Sequence, residues 1–487
     1  MKPKFLTFPT FLMLLLLGCA TSQQSGIELS ALSAAYDQYQ EKSIDQRRFK
    51  YADVVHLVNG RKSGFEVKEL GLSVEGKAIY SMTMGTGPIK VMLWSQMHGN
   101  ESTATMALFD LFNFLEGEND SFDELRHKLR SQLTIRFIPM VNPDGMDKWI
   151  RRNALDIDLN RDAAKLASPE AVILKNARDE FAPDFGFNLH DQQTYYTAGE
   201  SATPATISVL APAYNYETEV NDVRKKAMQV IVGMNNMLQK IVPGHVGKYD
   251  DAFEPRAFGD NFQKWGTSTI LIESGGYPND PEKQHIRKLN FMVMLNALNE
   301  IADGSYQHYD LADYYAIPDN SIRLMDVVVR NLQQQQGEHR FPLDLGIRRR
   351  ESEAANGFYV SGSIEDIGDL SIFYGYEEVD ASDMQVVEGK VYENPFPDLQ
   401  ALTPAIAMDL LKQGYLAAKV KDVEDRALYD LPILVLKSGN SIPFGIRTGG
   451  SPNFFLSENG KLRYALINGY LVDLEKEPST GYRLRLN

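Results

Sequence analysis

From about Gly64 the chain alternates apolar and polar residues in two short runs. Phe65-Glu66-Val67-Lys68-Glu69-Leu70-Gly71-Leu72-Ser73-Val74 and Ala78-Ile79-Tyr80-Ser81-Met82 read as the arms of a hairpin, with Glu75-Gly76 as its turn. The pattern then changes. Val91 to Trp94 is continuously apolar, as in a strand buried on both faces, and Thr103 to Leu115 has apolar residues at helical spacing. Strand and helix patterns alternate from there: strands over 133–141, 184–189 and 267–272, helices over 169–181, 220–242 and 281–301. This alternation predicts an α/β fold, a three-layer sandwich with a mixed, largely parallel sheet.

Beyond Tyr309 the text differs. Four consecutive glutamines, Gln333 to Gln336, suggest a helix end or a linker. Gly357 to Glu377 alternates and is rich in aromatics, which predicts β structure. Thr403 to Val420 reads as a helix with Thr403 as N-cap and Pro404 in its first turn, and Asn459-Gly460 as a hairpin turn. The expected division is a signal segment over 1–19, a tether and N-terminal extension over 20–63, a catalytic domain over 64–308, and a β-rich α+β accessory domain over 309–487. No catalytic constellation falls in the last part.

Length and charge narrow the class. A chain of 487 residues is long enough for two or three full cores. Its net charge of −15 excludes a nucleic-acid binder that works through a basic face. Lys2 and Lys4 precede an apolar run, Phe5 to Leu17, of export-signal length. The run closes in Leu16-Leu17-Gly18-Cys19, which resembles the bacterial lipobox and implies cleavage before Cys19 and acylation of its thiol. The expectation is an exported, soluble body lipid-anchored to a bacterial cell membrane; the alternative is an ordinary signal cut after Ala20. Cys19 is the single cysteine, so the body has neither a disulfide nor a thiolate metal site.

Candidate chemistry lies where the apolar runs end. Four of them finish in polar clusters: His98-Gly99-Asn100-Glu101, Asn142-Pro143-Asp144-Gly145, Leu189-His190-Asp191-Gln192 and Glu273-Ser274-Gly275-Gly276. One such cluster is most simply a turn histidine bonded locally. Four on adjacent parallel strands would meet at one sheet edge, where α/β proteins bind ligands. His98, Glu101 and His190 then form a three-ligand set for Zn²⁺ with a fourth position open, and Glu273 is the acid placed to act as a base beside it. The segment 150–162 supplies cations, Arg151 and Arg152 among them, able to hold a carboxylate or a developing oxyanion. His56, His127, His245, His285, His308 and His339 lack a partner at ligand spacing.

The ordered set of motifs over about 74–301 resembles the zinc carboxypeptidase family related to carboxypeptidase A. It comprises Gly76-Lys77-Ala78-Ile79, HGNE, NPDG, RRNALDIDLNR, and apolar strands ending in His190 and Glu273. The resemblance implies one Zn²⁺ per chain on His98, Glu101 and His190, with Glu273 as general base. It also implies that Arg151 polarises the scissile carbonyl and that Asn160 and Arg161 grip the terminal carboxylate of a peptide substrate with a free C-terminus. Arg152 is the alternative to Arg151. Asp162 departs from the family's pattern, and its charge is expected to weaken the carboxylate grip or select a basic group. Tyr249 lies at a plausible distance before Glu273 for the family's mobile tyrosine and is left unassigned. Two other functions remain open: a zinc amide hydrolase acting on N-acyl amino acids or cell-wall peptides, and an inactive surface lipoprotein that binds peptides or glycans.

Overall fold

A computed structural model describes residues 27–61, 64–355, 357–437, 439–477 and 480–486. Cys19 and the signal segment lie outside the described residues. Among the described residues no helix is long and apolar enough to cross a membrane.

The chain opens with two helices, α1 (Leu29–Tyr39) and α2 (Tyr51–Asn59). The hairpin follows as β1 (Glu66–Leu72) and β2 (Ala78–Met84), closed by Gly76 at φ +80°, a left-handed angle that suits glycine. Next come β3 (Ile89–Ser95), α3 (Thr103–Glu116), α4 (Asp123–Gln132), β4 (Leu133–Ile138), α5 (Pro143–Lys148) and α6 (Pro169–Phe181). The central part continues with β5 (Phe185–Asp191), β6 (Tyr196–Ala198), β7 (Ile207–Leu210), α7 (Asp222–Ile241), β8 (Val246–Lys248), α8 (Phe258–Lys264), β9 (Ser268–Ser274) and α9 (Gln284–Asp303).

Eight of these strands form one sheet in the order β1-β2-β4-β3-β5-β9-β7-β8. Pairings of β3 with β4 and β5, β5 with β9, and β7 with β8 are parallel; β1–β2, β2–β4 and β7–β9 are antiparallel. Helices cover both faces, which is the predicted sandwich. One face carries the larger apolar cluster, with α3, α7 and α9 on it; the other gathers Trp94, Phe258 and Phe262 of α8, and the inner side of α6. Leu32, Tyr36, Tyr39, Ile44, Phe49, Val54 and Val58 belong to the larger cluster, so residues 29–59 fold onto the sheet.

After α10 (Leu311–Tyr315) and β10 (Asn320–Ile322), which pairs with β6, a four-stranded sheet forms. Its strands are β11 (Leu324–Gln336), β12 (His339–Ala354), β13 (Gly357–Gly368) and β14 (Tyr374–Asp380). The glutamine run is therefore strand rather than helix end or linker. Gln333 to Gln336 pair in register with residues 339–342, because the ladder is made by backbone groups, and Gln333 and Gln335 leave their side chains exposed. The helix read over 403–420 is shorter than expected. It spans Pro404–Lys412, capped by Thr403, and Gly414 at φ +86° turns the chain into the strand Tyr415–Asp422. The Asn459-Gly460 hairpin is present, both residues at positive φ.

Candidate metal centre and its cavity

β3, β5 and β9 run side by side and parallel, so their carboxyl ends deliver the three expected clusters to one edge. His190 and Glu273 are register partners across β5 and β9. The loop after β3 reaches the same place through a close backbone crossing: a Cβ on Gly99 would fall 1.9 Å from the carbonyl carbon of Gly145. Asn142 ties the crossing together, capping α5 through Gly145 N–H (2.9 Å) and donating to the Met97 carbonyl (3.2 Å). The NPDG turn thus supports the loop that carries His98 and Glu101.

Nδ1 of His98 lies 2.8 Å from Oε1 of Glu101, and Nδ1 of His190 lies 2.7 Å from Oε2 of the same carboxylate. The two Nδ1 atoms are 3.2 Å apart, too close for both to carry protons. Nε2 of His98 faces Oδ1 of Asp158 at 3.1 Å, which places the ring proton on Nε2 and turns the Nδ1 lone pair inward. All three side chains are buried, and one donor atom from each lies within 4.8 Å of the others. Among the described residues this is the single group of three such donors. Two inward imidazole nitrogens and a carboxylate, one ring oriented by a second carboxylate, fit Zn²⁺.

Asp158 lies in the segment quoted from the sequence but was given no role there. Its Oδ2 also accepts from Nε of Arg151 at 3.0 Å, so one carboxylate orients both a donor imidazole and a cation. Arg151 reaches Glu101 at 3.3 Å with Nη1. Arg152 instead donates to the Asp156 carbonyl; Arg151 lines the cavity and Arg152 does not.

Glu273 is half-buried and lines the same cavity as the donor set. No donor among the described residues reaches its carboxylate. Burial, with the charges of Glu101 and Asp191 nearby, pushes its carboxyl well above the usual range, against the pull of Arg151 and Lys283. Lys283, buried, bonds Asp191 and the Ser274 carbonyl at 3.0 Å each; nothing in the sequence marked it, since its two partners come from separate, distant segments.

Asn160 and Arg161 also line the cavity. Oδ1 of Asn160 accepts from Phe258 N–H at 2.9 Å, and Nε of Arg161 lies 3.3 Å from Glu254. Asp162 does not join them. Its buried carboxylate accepts from Ala167 N–H, Ser168 N–H and the Ser168 hydroxyl, so the expected charge beside Arg161 is turned away. Asp260, which the sequence reading passed over, faces the cavity instead, and burial raises its carboxyl to about 6. Tyr249 lines the cavity too, its phenol raised by burial and by Glu273.

The Asp260 shift has a consequence for stability. A carboxyl raised in the folded state contributes stability below its unfolded pKa and loses it as pH rises through the folded value. Asp260→Asn keeps an acceptor for Glu254 N–H (2.9 Å in the native chain). The variant is expected to melt above the native protein at pH 7.5, with the advantage gone at pH 4, as calorimetric scans at the two pH values would register.

Fold and donor set together describe an α/β protein with three candidate metal donors gathered at the carboxyl edge of its sheet. Residues 51–229 match the family described as zinc carboxypeptidase, a family that uses a catalytic zinc. The match contains the three donors, Arg151, Asn160 and Arg161, and ends before Glu273. An uncharacterized protein of Zymomonas mobilis is 30% identical over 148 residues, 30% of this chain and 38% of its own length. A probable carboxypeptidase 2 of Arthroderma benhamiae is 25% identical over 192 residues, 38% of this chain and 34% of its own. The chain therefore spans little more than a third of the length of these relatives. A solved metallo-carboxypeptidase from Burkholderia cenocepacia is 20% identical, with a TM-score of 0.43 over 53% of this chain and 70% of that one.

Proposed function

We propose that the chain is a zinc metallocarboxypeptidase that removes C-terminal residues from peptides. The observation that carries the reading is the convergence of His98, His190 and Glu101 in one cavity with an acid, Glu273, whose carboxylate no donor among the described residues reaches. His98, Glu101 and His190 would hold the Zn²⁺, which when bound supplies Lewis acidity toward water and a carbonyl oxygen. Glu273 accepts the proton of the attacking water, favoured by a basicity above that of an ordinary carboxylate. The same carboxyl then returns the proton to the leaving amine nitrogen. Arg151, steered by Asp158, presents its N–H groups to the carbonyl oxygen as negative charge develops there. Asn160 and Arg161 hold the substrate's terminal carboxylate and so place the last peptide bond, rather than an internal one, beside Glu273.

The test is a matched pair of peptides, one with a free C-terminus and one amidated, given to zinc-loaded protein. Amidation is expected to lower kcat/KM by about a hundredfold, the scale of a lost charge-assisted pair of hydrogen bonds. Equal hydrolysis of the two would remove the carboxypeptidase reading and favour an amide hydrolase that does not require the terminal charge.

A further inference from the structure

Among the described residues beyond 308 there is no group of three metal-holding donors, yet several of them face the reaction site. The cavity of about 1380 Å³ that contains the donor set and Glu273 is bounded by Asp326, Arg349, Tyr376, Tyr470 and Arg483 from the C-terminal region. This wall is fastened to the loops that leave the site. Tyr195, shortly after His190, puts its hydroxyl 2.7 Å from Asp326 Oδ2 and 2.8 Å from the Arg349 carbonyl. Its own carbonyl accepts from the N–H groups of Arg323 and Leu324 at 3.2 and 3.0 Å. Tyr376 donates to the Thr194 carbonyl at 2.5 Å and sits so close over Gly276 that a Cβ there would fall 2.2 Å from its hydroxyl oxygen. Arg47 and Arg48 pair with Glu351, and Arg48 with Glu353. Fixed at so many points, the wall shares the geometry of the site.

Its position sets a direction. Asn160 and Arg161 are engaged on the α8 side, with Phe258 and Glu254. The wall docks on Thr194 and Tyr195, on Gly276, and on Arg47 and Arg48. A peptide with its carboxylate at Arg161 and its last peptide bond at Glu273 sends its upstream residues toward the wall. The surface they meet is planar and donor-rich: the Arg349 guanidinium lies 4.6 Å from the Tyr470 ring centroid, and that of Arg483 4.3 Å from the Phe358 ring centroid. Such groups stack on peptide planes and donate to backbone carbonyls. The cavity exceeds the roughly 300–1,000 Å³ of small-ligand pockets, and an extended chain advances only about 3.3 Å per residue. Several residues fit; a folded domain does not.

We infer that the C-terminal region forms the upstream half of the substrate site and selects short extended peptides over N-acyl amino acids and over the C-termini of folded proteins. The inference rests on the carboxypeptidase reading for the direction of binding. The experiment uses full-length zinc-loaded protein and N-acetylated peptides of two, four, six and eight residues with a common C-terminus, together with the same end fused to a small folded protein. Relative to the dipeptide, kcat/KM is expected to rise about tenfold by the tetrapeptide, then to fall at least about tenfold for the fused end. Tyr470→Ala is expected to reduce the tetrapeptide-to-dipeptide ratio about fivefold, through KM. In the Glu273→Gln background, titration calorimetry with the tetrapeptide gives a readout without turnover, and adding Tyr470→Ala should weaken Kd about fivefold. A flat length profile with equal cleavage of the fused end overturns the inference on native protein alone. So does a Tyr470→Ala protein that folds and keeps both ratio and Kd. Tyr470-dependent tetrapeptide binding with no cleavage by the native protein would instead overturn the carboxypeptidase reading and leave the wall standing.

Discussion

Glu273→Gln is expected to lower kcat by about 10²–10⁴, or about 3–5 kcal/mol in the barrier, while zinc content and KM stay near native values. The amide keeps the size and planarity of the carboxyl and removes its ability to take a proton. Its position on β9, in register with His190, is a backbone property that the substitution leaves alone. The acid limb of the native kcat–pH profile is expected above the ordinary carboxylate range, because burial and the charges of Glu101 and Asp191 disfavour the ionised form. Zinc bound at the donor set draws that limb part of the way back. In the variant the limb should vanish. Metal analysis with steady-state kinetics against pH checks all three expectations; full zinc with unchanged turnover would take the base role from Glu273.

The second large effect lies away from the site. Asp110 of α3 and Arg287 of α9 are both fully buried and joined bidentately, Nε to Oδ2 at 2.8 Å and Nη2 to Oδ1 at 2.5 Å. Their remaining capacity holds the N-terminal segment. Arg287 donates to the Ile44 and Glu41 carbonyls, and Asp110 accepts from the Tyr36 hydroxyl and Glu41 N–H. Asp110→Ala leaves a guanidinium buried without its counter-charge and is expected to cost about 3–5 kcal/mol in denaturant unfolding. Exchanging both, Asp110→Leu with Arg287→Met, should recover much of that, since the desolvated charge is then gone. A loss below about 1 kcal/mol in the single variant would mean that water reaches the arginine and that residues 36–44 are less firmly seated than they look.

The pair was invisible in the sequence for a simple reason. Asp110 falls within an amphipathic helix pattern and Arg287 in a charged helical stretch, where either reads as a solvated face. Their burial follows from the chain 36–44 closing over them, a contact between segments far apart in sequence. Lys283 and Asp260 were missed in the same way. Asp162 failed in the opposite sense: a charge beside Arg161 in sequence, it turns inward to hold residues 167 and 168.

What the sequence by itself determined is local and periodic. The buried strands, the helices between them, the four polar strand ends and the Asn459-Gly460 turn follow from side-chain spacing and turn chemistry, so His98, Glu101, His190 and Glu273 could be picked out before any coordinates. Tertiary structure alone decided which arginine enters the site, which carboxylate orients His98, where the negative charge near Arg161 lies, and that the C-terminal region walls the cavity. Each of those depends on the order of strands in the sheet and on contacts between distant segments, and hydrophobic periodicity, which reports only whether a residue faces inward, carries no information on which residue it will face.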